Sequence, residues 1–115
     1  MSYLLLIVEP VDQRRNRSAH EGREAYQRML DYTEQLRARG VLLASQSLRS
    51  AAARLSVREG GKKVTDGPFT EAKELVGGFF LLDCPTREQA LAHAALCPAA
   101  QWATIEVREV GPCYE

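Results

Sequence analysis

The chain predicts an α+β fold: an antiparallel four-stranded sheet, two helices on one of its faces, and a hairpin arm inserted between the second and third strands of that sheet. Three observations predict it. Tyr3 to Val8 and Phe79 to Leu82 are continuous apolar runs bounded by Glu9-Pro10 and Pro85, as strands apolar on both faces are. Ser18 with Glu21, and Thr86 with Gln89, have the spacing of capping boxes that open helices. With the arm set aside, the order is strand, helix, strand, strand, helix, strand, the ferredoxin-like plan.

The first strand covers Tyr3 to Val8, and a polar, basic connection from Val11 to Arg17 follows. The first helix starts at Ser18 and stops at Gly40. Its stripe at three- and four-residue steps is Tyr26, Met29, Leu30, Thr33 and Leu36, with Arg23, Glu24, Arg28, Glu34, Gln35 and Arg39 left for water. Val41 to about Leu48 reads as the second strand. Arg54 to Arg58 alternates like a third, and Glu59-Gly60-Gly61-Lys62 turns the chain so that Lys63-Val64-Thr65 returns as the other half of the arm.

Thr70 is placed to cap a brief helical turn through Leu75, and Gly77 to Cys84 gives the next strand. The second long helix opens at Thr86, carries small residues Ala90, Ala94 and Ala95 beside Leu91, and closes at Pro98. The last strand runs from Trp102 to Val107, with Ala103, Ile105 and Val107 on one face and Thr104, Glu106 and Arg108 on the other. No repeat or interdomain linker interrupts the 115 residues, which suit a single domain.

Two helices cover only one face of such a sheet. Leucines and phenylalanines on the opposite face then call for a second copy, and sheet-to-sheet pairing in a homodimer encloses both open faces around a shared cavity. Charge directs the chain toward no polyanion, because 15 lysines and arginines balance 15 aspartates and glutamates, so neither nucleic acid nor an anionic membrane surface is an expected partner. The cysteines, Cys84, Cys97 and Cys113, are odd in number and widely spaced, which fits neither a disulfide framework nor a zinc cluster. Neither His20 nor His93 has a histidine or cysteine at metal-ligand spacing, so no metal or other cofactor is expected. With no leader or spanning segment in view, the expected location is the cytoplasm.

The densest local signal is the connection from Val64 to Leu75. Asp66 can bond its own turn, Gly67 admits backbone angles closed to other residues, and Pro68 fixes its own φ. Stiff loops that carry a carboxylate, a ring and a lysine often border sites. Asp66 is the candidate acid or base, against the plain alternative of a turn residue. Arg58 and Lys73 are candidates to hold an anionic ligand, and Phe69 to line the pocket, against core anchoring and a solvated helix face. Gly77-Gly78 enters a strand rather than a helix and is no phosphate loop.

The segment VTDGPFTEAKELVGGFFLLD, with GVLLASQSL before it and IEVREV after it, resembles the YCII-related family in its DGPF branch, across nearly the whole chain. The resemblance implies a bacterial protein that forms a dimeric α+β barrel and has an enzymatic or ligand-binding role. It also implies a regulatory alternative, since the branch is similar to proteins encoded beside, or fused to, extracytoplasmic-function sigma factors. The wider family's histidine and aspartate pair is not carried over. Only His20 lies in the right region, and Leu36-Arg37-Ala38-Arg39 offers no aspartate. The expectation is therefore a homodimer that binds a small polar or anionic organic molecule in its barrel, with metal-free acid/base chemistry at Asp66. The alternative is a non-catalytic partner of such a sigma factor.

Overall fold

The computed structural model describes residues 1–69 and 71–114. The elements are β1 (Ser2–Pro10), α1 (Ala19–Ala38), β2 (Leu42–Ser47), β3 (Ala53–Arg58), β4 (Gly61–Asp66), β5 (Glu74–Asp83), α2 (Arg87–Leu96), a 3₁₀ turn (Pro98–Gln101) and β6 (Thr104–Glu109). The four-stranded sheet has the order β2-β5-β1-β6, and every neighbouring pair is antiparallel. The expected ferredoxin-like architecture is therefore present, with β3 and β4 forming a separate two-stranded arm.

Alternation along β1 divides the sheet into two faces. Tyr3, Leu5, Ile7 and Glu9 are buried, while Leu4, Leu6 and Val8 between them are half-buried. The buried set packs with Phe80 and Leu82 of β5, Tyr32 and Leu36 of α1, and Ala90 and Ala94 of α2, so both helices lie on the same face. Tyr32 and Phe80 meet edge to face at 5.2 Å between ring centroids, a geometry that suits the aromatic quadrupoles. The Tyr32 hydroxyl donates to the His93 carbonyl at 2.6 Å, tying α1 to α2 through a polar tip on an apolar body. The other sheet face carries Leu4, Leu6 and Val8, with Leu81 and Phe79 in register with Leu4 and Leu6, and no helix among the described residues covers it.

The helix signals act as their chemistry requires. Ser18 Oγ accepts from the Glu21 amide and Glu21 accepts from the Ser18 amide, a complete capping box. Hydrogen bonding to Ser18, from its backbone amide first and its side chain second, holds the Glu21 carboxyl below its ordinary range. Gly40 takes φ +73°, which lets Gly40 and Val41 turn their amides back onto the Arg37 and Leu36 carbonyls.

Some details differ from the sequence expectation. Thr86 Oγ accepts from the Gln89 amide, but the reciprocal bond is missing, so α2 has a cap and not a box. Thr70 lies outside the described residues. No helical turn occurs across 71–75; Ala72 closes a turn onto the Phe69 carbonyl, and β5 begins at Glu74 because pairing with Pro10 and Glu9 extends the ladder that far. The final strand starts at Thr104, since Pro98–Gln101 coils first, but its inner and outer faces alternate as expected. In α1 the buried anchors are Tyr32 and Leu36, whereas Tyr26 and Leu30 are 53% and 40% exposed. No helix among the described residues is long and apolar enough to cross a membrane.

The arm changes the molecule's shape. Its Cα radius of gyration is 16.1 Å, against about 13 Å for a compact chain of this length. Leu55, Val57 and Val64 share one flank of the arm and are 62%, 64% and 52% exposed.

His93 gives the fold a pH dependence. Burial first, and the nearby Arg39 charge second, hold its imidazole below the ordinary histidine value. The unfolded chain then binds the proton more readily, so this stability is complete above the unfolded pKa of about 6.5 and is lost as pH falls through the lower folded value. Thermal unfolding followed from about pH 8 down to about pH 5 is expected to show a falling midpoint that His93→Gln flattens. An unchanged slope in that variant refutes the assignment.

Candidate functional site

Glu9 sits where the alternation of β1 points inward, and it is only 3% exposed. A carboxylate there needs a cation, because removal from water is costly for an unpaired charge. The basic connection after β1 supplies two. Arg14 Nε lies 2.7 Å from Glu9 Oε1, an ion pair whose N–H is not aligned as a hydrogen bond. The remaining Arg14 nitrogens donate to the carbonyls of Leu48 at 2.7 Å and Gly77 at 3.1 Å. One guanidinium thus joins the chain at the ends of β1, β2 and β5.

The Gly77-Gly78 pair is explained by this cluster. The β1 to β5 register passes from Ile7 opposite Gly78 to Val8 opposite Val76, which leaves Gly77 as the extra residue of a bulge. A Cβ on Gly77 would stand 2.4 Å from Glu9 Oε1 and 2.6 Å from Arg14 Nη2; one on Gly78 would stand 2.9 Å from the Gln46 carbonyl oxygen. Glycine is the residue that admits both approaches.

Above the pair, α1 presents small residues. The N-cap Ser18 and the α1 residues Ala19, Gly22 and Ala25 line, with the glycine end of β5, a cleft of about 830 Å³. Glu9, Arg14 and Arg17 form its inner end, and Tyr26, Met29, Leu30 and Trp102 contribute apolar wall. Arg17 reaches Glu9 Oε2 only at 4.0 Å, with its side chain 20% exposed. Volume and lining both suit a small organic ligand.

The residues expected from the loop do not gather in this cleft. Asp66 is exposed at the base of the arm, in register with Ala53, and it borders neither the cleft nor a second hollow beside the arm. Arg58 is at the other end of the arm and donates to its neighbour's carbonyl, Val57, at 3.0 Å. Five residues of β4 separate that end from Asp66, about 17 Å of extended chain. Lys73 is exposed, and its carbonyl accepts from the Val11 amide at 3.1 Å. Phe69 does line the second hollow, under the Arg54 guanidinium at 3.7 Å from the ring centroid, while Arg54 also pairs with Glu71 at 2.9 Å. The loop residues therefore brace the arm at one end and face water elsewhere.

Glu9, Arg14 and Arg17 escaped the sequence reading. Their signal was a glutamate continuing the inward series Tyr3, Leu5, Ile7, followed within eight residues by Arg14, Arg15 and Arg17. His20 is on the outer surface, 3.3 Å from Glu24. Cys84 and Cys97 are buried, and burial pushes both thiols up and away from thiolate chemistry.

The profile of the YCII-related domain matches residues 1–113. The chain belongs to the YCII-related family. Among curated proteins, this YCII-related chain is similar to an uncharacterised protein of Rhizobium meliloti (strain 1021), with 47% identity over 45 residues. That match spans 39% of this chain and 36% of the relative, so about a third of the relative's length is represented. Among solved structures, the chain is similar to 5-chloro-2-hydroxyhydroquinone dehydrochlorinase (TftG) from Burkholderia phenoliruptrix AC1100, in complex with 2,5-dihydroxybenzoquinone. The TM-score is 0.56 and the identity 13%, over 96% of this chain and 94% of that one, a likeness of fold.

Two glycine substitutions of opposite sign test the site's construction. Gly77→Ala forces apart the Glu9 and Arg14 contacts and is expected to cost about 1–3 kcal/mol in denaturant unfolding. Gly22→Ala, whose Cβ would meet nothing within 4 Å, is expected to add about 0.5–1 kcal/mol by helix propensity. Equal effects of the two substitutions contradict the packing described.

Proposed function

We propose that this YCII-related chain binds a small polar organic molecule in the cleft beneath α1. The observation that carries this is the cleft itself, about 830 Å³ of space with apolar walls and a charged inner end. Family membership and the likeness to TftG, whose structure holds 2,5-dihydroxybenzoquinone, support a small-molecule role of this general size. Metal-free acid/base chemistry at Asp66 lacks comparable support, because that carboxylate is exposed and borders neither hollow. Binding is therefore assigned here without a reaction.

The same proposal includes a homodimer paired through the open sheet face. Leu4, Leu6, Val8, Phe79 and Leu81 form a contiguous apolar surface with no helix among the described residues over it, and burying it gains roughly 25 cal/mol per Å² of apolar area. Sedimentation should give a dimer mass, and Leu81→Lys should shift it toward monomer. A wild-type chain that sediments as a monomer at high concentration overturns this part.

A regulatory role has a different support, the exposed flank of Leu55, Val57 and Val64 on the arm. In that role the chain is a non-catalytic partner, for example of an extracytoplasmic-function sigma factor, and the flank is the contact.

One experiment separates binding from regulation. A thermal-shift screen of small ring compounds, hydroxyquinones included, is run on the wild type and on Gly22→Leu, whose side chain projects into the cleft. Binding predicts compounds that raise the wild-type midpoint but not that of the variant. A screen without shifts, combined with co-elution of a sigma factor that Leu55→Lys abolishes, decides for regulation.

A further inference from the structure

We propose that the cleft selects organic anions, and that Arg17 is the group that holds the ligand's charge; this rests on the cleft being the binding site. The inference starts from charge. The inner end contains one carboxylate, Glu9, and two guanidiniums, Arg14 and Arg17. Arg14 is committed, through Nε to Glu9 at 2.7 Å and through its other two nitrogens to the Leu48 and Gly77 carbonyls. Arg17 is not committed. Its closest opposite charge is Glu9 Oε2 at 4.0 Å, and among the described residues its guanidinium makes no hydrogen bond.

Over the whole lining three guanidiniums balance three carboxylates, with Arg37 ion-paired to Glu34 and Asp31 bonded by the neutral Gln27 amide at 3.0 Å, so the positive excess is local to the end formed by Glu9, Arg14 and Arg17. Arg17 is consequently the cation whose ion pair is the long 4.0 Å approach to a carboxylate already paired with Arg14, with four-fifths of its side chain out of bulk water. A guanidinium in that position presents a planar fork of donors suited to two oxygens of one anionic group. A carboxylate or an oxyanion conjugated to a ring would complete its hydrogen bonding.

The remaining walls describe the other end of the ligand. Tyr26, Met29, Leu30 and Trp102 give an aromatic and aliphatic surface, so the class is an anionic head on a small ring or short apolar body. The Arg28 guanidinium lies 5.2 Å from the Trp102 ring centroid and holds that ring at the edge of the cleft.

The test uses benzoate and its neutral counterpart benzamide as probes, with affinities from titration of Trp102 fluorescence, the signal of the chain's one tryptophan. Benzoate is expected to bind the wild type at least about tenfold more tightly than benzamide, and Arg17→Gln to weaken benzoate more than benzamide so that the preference is lost. Arg17→Lys keeps a charge without the fork and is expected to retain part of the preference, which also guards against a folding defect in the glutamine variant. Equal binding of the two probes, or a preference that survives Arg17→Gln, overturns the anion assignment and leaves the cleft as a site for neutral ligands. Absence of benzoate binding also overturns it. Binding of both probes that Gly22→Leu does not disturb overturns the cleft as the site.

Discussion

A single buried carboxylate organises one end of this molecule. Glu9 occupies a core position of β1, where Arg14 at 2.7 Å and Arg17 at 4.0 Å supply the opposite charge. Arg14 in turn needs acceptors for its remaining donors, and it finds them in the carbonyls of Leu48 and Gly77. These bonds draw together chain segments far apart in sequence. They also exclude any side chain at position 77, so the bulge in β5 and its glycine follow from the charge on β1.

The helix above completes the arrangement by a gradient of size. Toward its C-terminus α1 places Tyr32 and Leu36 against Phe80 and Leu82, and that end is packed and dry. Toward its N-terminus it offers Ala19, Gly22 and Ala25 to a cleft that two glycines also line. The hollow is thus a product of small residues on both of its walls. Its polar end is the same Glu9 and Arg14 pair that fixes the strand ends, so the space is open where the backbone is best held.

Much of this was legible in the sequence. The apolar runs at Tyr3 to Val8 and Phe79 to Leu82, the Ser18 and Thr86 caps and the Gly40 stop depend on neighbours within a few residues, and the structure contains all of them. The open sheet face was legible for the same reason, since alternation is a local property. The site was not, because its parts lie on β1, the connection after it, α1 and β5, and their meeting depends on register. Conspicuous turn chemistry at Asp66-Gly67-Pro68 drew attention to the arm, where Arg54 stacks on Phe69 as a brace. Gly77-Gly78 lies in a strand as expected, yet its purpose appears only when Glu9 and Arg14 are placed beside it.

The arm has a consequence of another kind. Among the described residues β3 and β4 pair with each other and with no strand of the main sheet, and the bond from the Gly67 amide to the Ala52 carbonyl at 2.8 Å closes the base. Residues added or removed in matched pairs near Glu59 and Gly60 therefore alter its reach without moving any rung of the larger ladder. Changes in the length or side chains of this projection leave the helix-covered layers as they are, so the two parts of the molecule can vary independently in sequence.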